Sequence, residues 1–317
     1  MERRKWATPS TTRSRVVLEV ASELAGLDSW THKQAFVNLR VQGDASSTWS
    51  LIGSDTPAAI DMVAKGQAHI AIINPAGPLA VALRGSDPFR EPIPLRAIGV
   101  IPSYDQLALA VSESTGLTSL EQIKDRKFPL RLSLRGQPDH SVRFYVDQIC
   151  AVLGFTLEDL TSWGGSVSYD PGFNFARRLA AVQRGEVDAM FDEAVDNWVG
   201  GALDVGMRVL PIEGATLAEL ERRGFGRSVL RQAEYPKLPG DVSTLDFSGW
   251  TIFTLDSAPD DLIAAFCSAL EARKDRVPWQ GEGPLPLERM CRDSREGPLN
   301  IPLHPAAERF WRERGYL

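Results

Sequence analysis

MVAKGQAHIAIINPA, residues 62–76, and AVQRGEVDAMFDEAV, residues 181–195, follow one plan. In each, a helix end carries a basic residue and a glycine, a three-residue turn follows, and a short buried strand ends in polar residues. Glycine suits the left-handed conformation that closes a helix. The polar residues are Asn74, before Pro75, in the first stretch and Asp192 and Glu193 in the second. Strands of an open α/β sheet deliver their carboxyl ends to the crevice where ligands bind. Two such units about 120 residues apart therefore predict two similar lobes facing one cleft. Helix, glycine and strand is also an ordinary αβ connection, so coincidence is the competing reading.

The rest of the 317-residue chain fits two domains or one large one. Its 43% hydrophobic content excludes a disordered or fibrous chain. With 35 Lys and Arg against 41 Asp and Glu, net charge −6, a nucleic-acid partner is not expected, because such binding needs a basic stripe to displace counterions from phosphates. Cys150, Cys267 and Cys291 are odd in number and widely spaced, which points to buried free thiols rather than disulfides or a zinc site. No metal or cofactor is expected. No apolar run reaches the ~18 to 20 residues that span a bilayer, so direct membrane insertion is not expected. Arg3, Arg4 and Lys5 imitate the start of a secretory signal, but Glu19 and Glu23 break the apolar stretch Val16 to Ala25. The expectation is a cytoplasmic chain or one already trimmed, with residues 1–14 a loose tail.

Between these limits, β-rich runs alternate with helical patterns, an α/β plan with mostly parallel strands. The strands expected are 15–20, 35–42, 69–73, 95–101, 107–112, 130–134, 188–191, 207–211 and 250–255. Pro57 opens a helix that Gly66 closes, and Asp139 caps one that stops at Gly154. Thr118 with Glu121 and Thr216 with Glu219 match the reciprocal capping box. A helix over 259–274 buries Leu262, Phe266, Ala269 and Leu270, and the last runs from Pro305 to before Gly315.

The order of elements, the glycine turns into buried strands, the segment GVIPSYDQLALAVSESTGLTSLEQIKDRKFPLRLSLRG at 99–136 and the ending PLHPAAERFWRERGYL at 302–317 together resemble the solute-binding proteins of type II periplasmic-binding-protein fold. Within that group the chain is most similar to the TAXI branch, the receptors of tripartite ATP-independent periplasmic (TRAP) transporters. The resemblance covers nearly everything after Arg15. It implies a two-lobe α/β fold, with residues 15–103 and 250–317 as a discontinuous first lobe, 104–249 as the second, and hinges near 101–108 and 248–254. It also implies hinge closure on a small organic anion, a membrane permease as partner and a periplasmic location, against the cytoplasmic reading of the N-terminus. Family members carry a glycine- and threonine-rich loop after the first strand. Here that place reads ASELAGLD, residues 21–28, and GDASSTW, residues 43–49, is the better polar loop.

Candidate ligand contacts follow from this frame, and each has a bland alternative. Arg135 ends a strand beside a helix N-terminus, where its bidentate donors and the helix dipole suit a carboxylate; pairing with Asp139 is the alternative. His140 and Ser141 occupy the same first turn, His140 being otherwise a surface residue. Asp44, Ser46 and Ser47 belong to the polar loop, and Asn74 either orients a ligand or makes a turn before Pro75. Tyr104 and Asp105 stand at the first crossing. Trp49 and Trp198 are apolar walls or core. Asp192 and Glu193, being consecutive, point to opposite sides of a continuing strand, so that only one faces the cleft. No nucleotide, hydrolase or metalloprotease motif occurs. Alongside the binding protein stand an enzyme on the same fold, a decarboxylase of aromatic acids or an enzyme of thiamine-precursor synthesis, with His140 and Asp192 or Glu193 as acid and base, and a ligand sensor.

Overall fold

The computed structural model describes residues 9–26, 34–40, 48–54, 56–170 and 174–317. Asp44, Ser46 and Ser47 therefore lie outside the described residues. Residues 1–33 and 34–317 are two compact units. In the first, helix α1 spans Pro9–Gly26, where a loose tail and a strand over 15–20 were expected. The paired valines Val16 and Val17 suggest a strand, but Arg15 and Glu19 pair across one helical turn at 3.7 Å, and the Leu, Glu and Ala that follow favour a helix.

The second unit begins β1 (Ala35–Arg40), β2 (Thr48–Gly53), α2 (Ala58–Ala64), β3 (Ile70–Ile73), α3 (Gly77–Arg84) and β4 (Leu95–Ile101). It continues with β5 (Gln106–Ser112), α4 (Glu121–Asp125), β6 (Arg131–Arg135), α5 (Ser141–Leu153), α6 (Leu157–Ser162), β7 (Ser166–Asp170) and α7 (Phe175–Gln183). Next come β8 (Ala189–Asp192), α8 (Val199–Asp204), β9 (Met207–Leu210), α9 (Gly214–Arg223), β10 (Arg227–Leu230) and β11 (Val242–Asp246). The chain ends with β12 (Trp250–Leu255), α10 (Asp260–Arg273), α11 (Leu287–Met290) and α12 (Pro305–Glu313).

These strands build two sheets, one ordered β1-β2-β3-β12-β4 and one ordered β10-β11-β5-β8-β6-β7 with β9 also on β5. The fold is thus a two-sheet α/β structure, as the alternation of elements predicts. The parallel expectation needs correction. Among the described strands only β2–β3, β6–β7 and β6–β8 pair in parallel; β5 and β12, the strands that follow each passage between sheets, run against their neighbours, and β1–β2 and β10–β11 are antiparallel pairs. Strands alternate their side chains between two apolar layers, as a sheet covered on both faces requires. On β5, Leu107, Leu109 and Val111 enter the layer beneath α5, while Ala108 and Ala110 enter the layer with Trp198 and Val199. On β12, Ile252 and Phe253 separate in the same way.

The two quoted stretches keep their common plan. Gly66 and Gly185 take φ of 67° and 70° between helix and strand, and β3 and β8 each lie parallel to a neighbour, β2 and β6. Several caps differ from expectation. His140, not Asp139, caps α5, its Nδ1 accepting from the Val142 amide at 3.1 Å. Thr118 bonds Gln122 instead of forming a box, and Thr216 donates to Glu121 at 2.8 Å. The reciprocal box is Thr156 with Asp159. In α10 Ala269 is exposed, while Ile263 and Cys267 complete the buried stripe with Leu262.

Candidate functional site

Arg135 is the last residue of β6 and Asp192 the last of β8, so parallel pairing brings both to one end of the second sheet. The Arg135 Nη2 donates to Asp192 Oδ1 at 2.9 Å and also to Glu193 Oε1, and its Nε lies 3.3 Å from Asp192 Oδ1. The alternation that would send Asp192 and Glu193 to opposite sides does not apply, since β8 stops at Asp192 and Ala194 turns the chain at φ 54°. Both carboxylates reach the same guanidinium. His140 joins from the cap of α5: its Nε2 lies 3.2 Å from Arg135 Nη1. Because Nδ1 accepts the Val142 amide, the ring proton belongs on Nε2, and two donors stand side by side.

Asp192 has a second guanidinium. Arg178, fully buried on α7, donates from Nη1 to Asp192 Oδ2, from Nε to Ser133 Oγ at 2.8 Å and from Nη2 to the Ser133 carbonyl at 2.8 Å. The sequence reading missed this residue. Its signal was a charge at helical spacing between Phe175 and Val182, on the face of α7 that the core covers.

Asp105 closes the cluster from the crossing before β5. Its carboxylate accepts from the amides of Gln106 at 2.7 Å, Ala194 at 2.9 Å and Val195 at 3.4 Å. Burial pushes the Glu193 carboxyl well above its ordinary range; Arg135 opposes this, while Asp105 and Asp192 add to it. Asp105 is raised as well, by burial, with Glu193 and the three amides opposing. Burial would lower Arg135, yet the charges of Asp192 and Glu193 hold it above its usual value.

The first sheet meets this cluster through α5. Ser141 donates to the Asn74 carbonyl at 2.7 Å, and the Asn74 amide donates to the Gly249 carbonyl at 3.3 Å. Alongside, Val81 of α3 belongs to the apolar layer beneath α5, and Arg84 donates to the carbonyls of Glu221 and Arg222 at 2.7 and 2.9 Å, at the end of α9 where a cation is favoured. Tyr145 fills the space at Gly77, where an added Cβ would lie 2.0 Å from its hydroxyl.

Arg135, His140, Asp192 and Glu193 thus come together, and Ser141 links Asn74 to them. Three candidates stand elsewhere. Trp198 is core, stacked near Phe175 at 6.2 Å, with its indole donating to the Glu193 carbonyl at 2.9 Å. Trp49 packs against the apolar layer of α10 and α12. Tyr104 lies under Arg295, whose guanidinium carbon is 4.0 Å from the ring centroid. Arg295 also lines a wide groove of about 610 Å³ with Arg289 and Arg292, but Arg289 is bound to Glu296 and Arg292 to the Tyr316 carbonyl. Among the described residues no group of His, Cys, Asp and Glu is arranged to hold a metal ion, and no helix is long and apolar enough to cross a membrane. All three cysteines are buried and free.

Residues 36–315 match the NMT1-like family. The chain belongs to that family. No curated protein matches it. Solved structures similar to it include the alkanesulfonate-binding protein SsuA from Xanthomonas axonopodis pv. citri bound to MOPS, at 16% identity and TM-score 0.32, over 69% of this chain and 60% of that one. The chain therefore spans less than two thirds of that protein's length. MatC from Rhodopseudomonas palustris with bound malate is similar at 14% identity and TM-score 0.33, over 69% and 70% of the two chains. An ancestral arginine-binding protein bound to arginine stands at 13% identity and TM-score 0.33, over 70% and 73%.

Proposed function

We propose that this NMT1-like protein is a solute-binding receptor that holds a small organic anion, a carboxylate, between its two sheets and passes it to a membrane permease, in the manner of TAXI receptors. The observation that carries the reading is the convergence of Arg135, His140 Nε2 and the first turn of α5 at the end of the second sheet, directly where Ser141 reaches Asn74 of the first. Guanidinium, imidazole N–H and helix N-terminus are each groups from which a carboxylate accepts well. The enzyme reading draws less support, since Asp192 and Glu193 are bound to arginines and the His140 ring caps a helix. A general base needs a proton-accepting atom, and a general acid a transferable proton, turned toward substrate.

The test is a screen of carboxylates by thermal shift, since a ligand that binds only the native state raises its melting temperature. Titration of the wild type and of Arg135→Lys then follows. Lysine keeps the charge and loses the forked geometry, so affinity is expected to fall at least tenfold while the fold is retained. Equal affinities would refute the assignment of Arg135 as the anion's partner.

A further inference from the structure

Glu193 is the conflicted member of the cluster. Asp192 is shared by two arginines, with one oxygen on Arg135 and the other on Arg178, and is fixed from both sides. Glu193 has one arginine contact, and its carboxyl also meets that of Asp105, which the amides of Ala194 and Val195 hold beside it. Two buried carboxylates in contact repel unless a proton lies between them. The charged groups around Glu193 are Arg135 from β6, Asp192 from β8, Asp105 from the crossing and, through Asp192, Arg178 from α7. Beyond Asp105 stands Asp246, at the end of β11, and His140 faces Arg135 from α5.

We propose that Glu193 is a resident occupant of Arg135 which a ligand carboxylate displaces, and that the exchange takes up one proton on the Asp105 and Glu193 pair. The inference rests on the organic-anion reading above and specifies how that site is regulated. The charge balance supports it. Above the pH range in which the pair holds a proton, Arg135 and Arg178 face Asp192, Glu193 and Asp105, a net charge of −1. One ligand carboxylate alone would make the buried cluster −2, whereas that carboxylate with a proton leaves it at −1. In the exchange the ligand carboxylate takes the Arg135 Nη2 donor, and Glu193, released, binds a solvent proton and donates it in a hydrogen bond to Asp105. One O–H bond forms and no other covalent bond changes. Ligand affinity then depends on pH: it is highest where the pair readily holds its proton and falls about tenfold per pH unit above that range.

The experiment uses acetate, benzoate and succinate as probes of the full chain, with calorimetric titration at pH 6 and pH 8 in two buffers of different ionisation enthalpy. The expected result is tighter binding at pH 6, about one proton taken up per carboxylate bound at pH 8, and in Glu193→Gln a stronger affinity at pH 8 with the pH dependence lost. Unchanged pH dependence in Glu193→Gln, or no proton uptake by the wild type, overturns the exchange and leaves the anion-binding reading standing. No binding of any probe by either protein at either pH refutes both. Should Glu193→Gln fail to fold, Asp105→Asn breaks the pair from its other side; proton uptake must then disappear, and its persistence would overturn the proposal.

Discussion

Asp246→Asn is expected to stabilise the protein at neutral pH. Asp246 ends β11, opposite Gln106, and burial raises its carboxyl from 3.8 to about 6; Ser248 and Arg295 oppose the shift and Asp105 adds to it. A displacement of that size corresponds to about 3 kcal/mol against the charged form. The upper limit is not reached, because asparagine accepts less well than a carboxylate from Ser248, so roughly 1 to 3 kcal/mol is the expected gain. The direction follows from proton counting. Below the unfolded value of 3.8 both states are protonated and the carboxyl costs nothing; as pH rises toward about 6 the unfolded chain ionises first, the native state is left holding the proton, and stability falls until the native carboxyl ionises too. Asparagine has no such dependence, so its advantage grows between pH 4 and 6 and is constant above. Guanidinium unfolding of both proteins at pH 4, 5, 6, 7 and 8, with matching denaturant slopes, measures this difference. A difference independent of pH, or a variant less stable at pH 8, would refute the burial argument.

Two other substitutions test the packing around the cluster. Arg178→Ala removes one partner of a buried pair and leaves Asp192 dependent on Arg135; the expected loss is about 3 to 5 kcal/mol in chemical denaturation, and a loss below 1 kcal/mol would contradict it. Gly77→Ala sets a methyl carbon against the Tyr145 hydroxyl, which is buried and bonds to no partner among the described residues. Tyr145→Phe removes that oxygen, so the double variant is expected to recover at least half of the loss caused by Gly77→Ala alone, a coupling a double-mutant cycle reads directly.

The two glycine turns were legible because they are local: a helix end, a positive φ and a short apolar strand occupy fifteen consecutive residues in each stretch. Strand direction was not, because it depends on pairing between distant segments, as where β12 enters between β3 and β4. Strands β7, β10 and β11 are short and partly polar, and β7 lies at a sheet edge with three of its five residues exposed, so its pattern carries little apolar signal. At the site, Arg135, His140 and Asp192 could be named from their places at strand and helix ends. That their charges are spent largely on each other could not, since the partners Arg178 and Asp105 come from separate stretches of chain. The error over Glu193 had a local cause: alternation was carried one residue beyond the end of the strand.

In the proposed receptor the end of the second sheet recognises a negative charge. The measurement compares matched acids and amides, benzoate with benzamide and succinate with succinamide, as ligands of the full chain at pH 6. At least one acid is expected to raise the melting temperature progressively with concentration, as mass action requires, while its amide has no effect. Equal stabilisation by acid and amide, or none by either, would contradict that recognition.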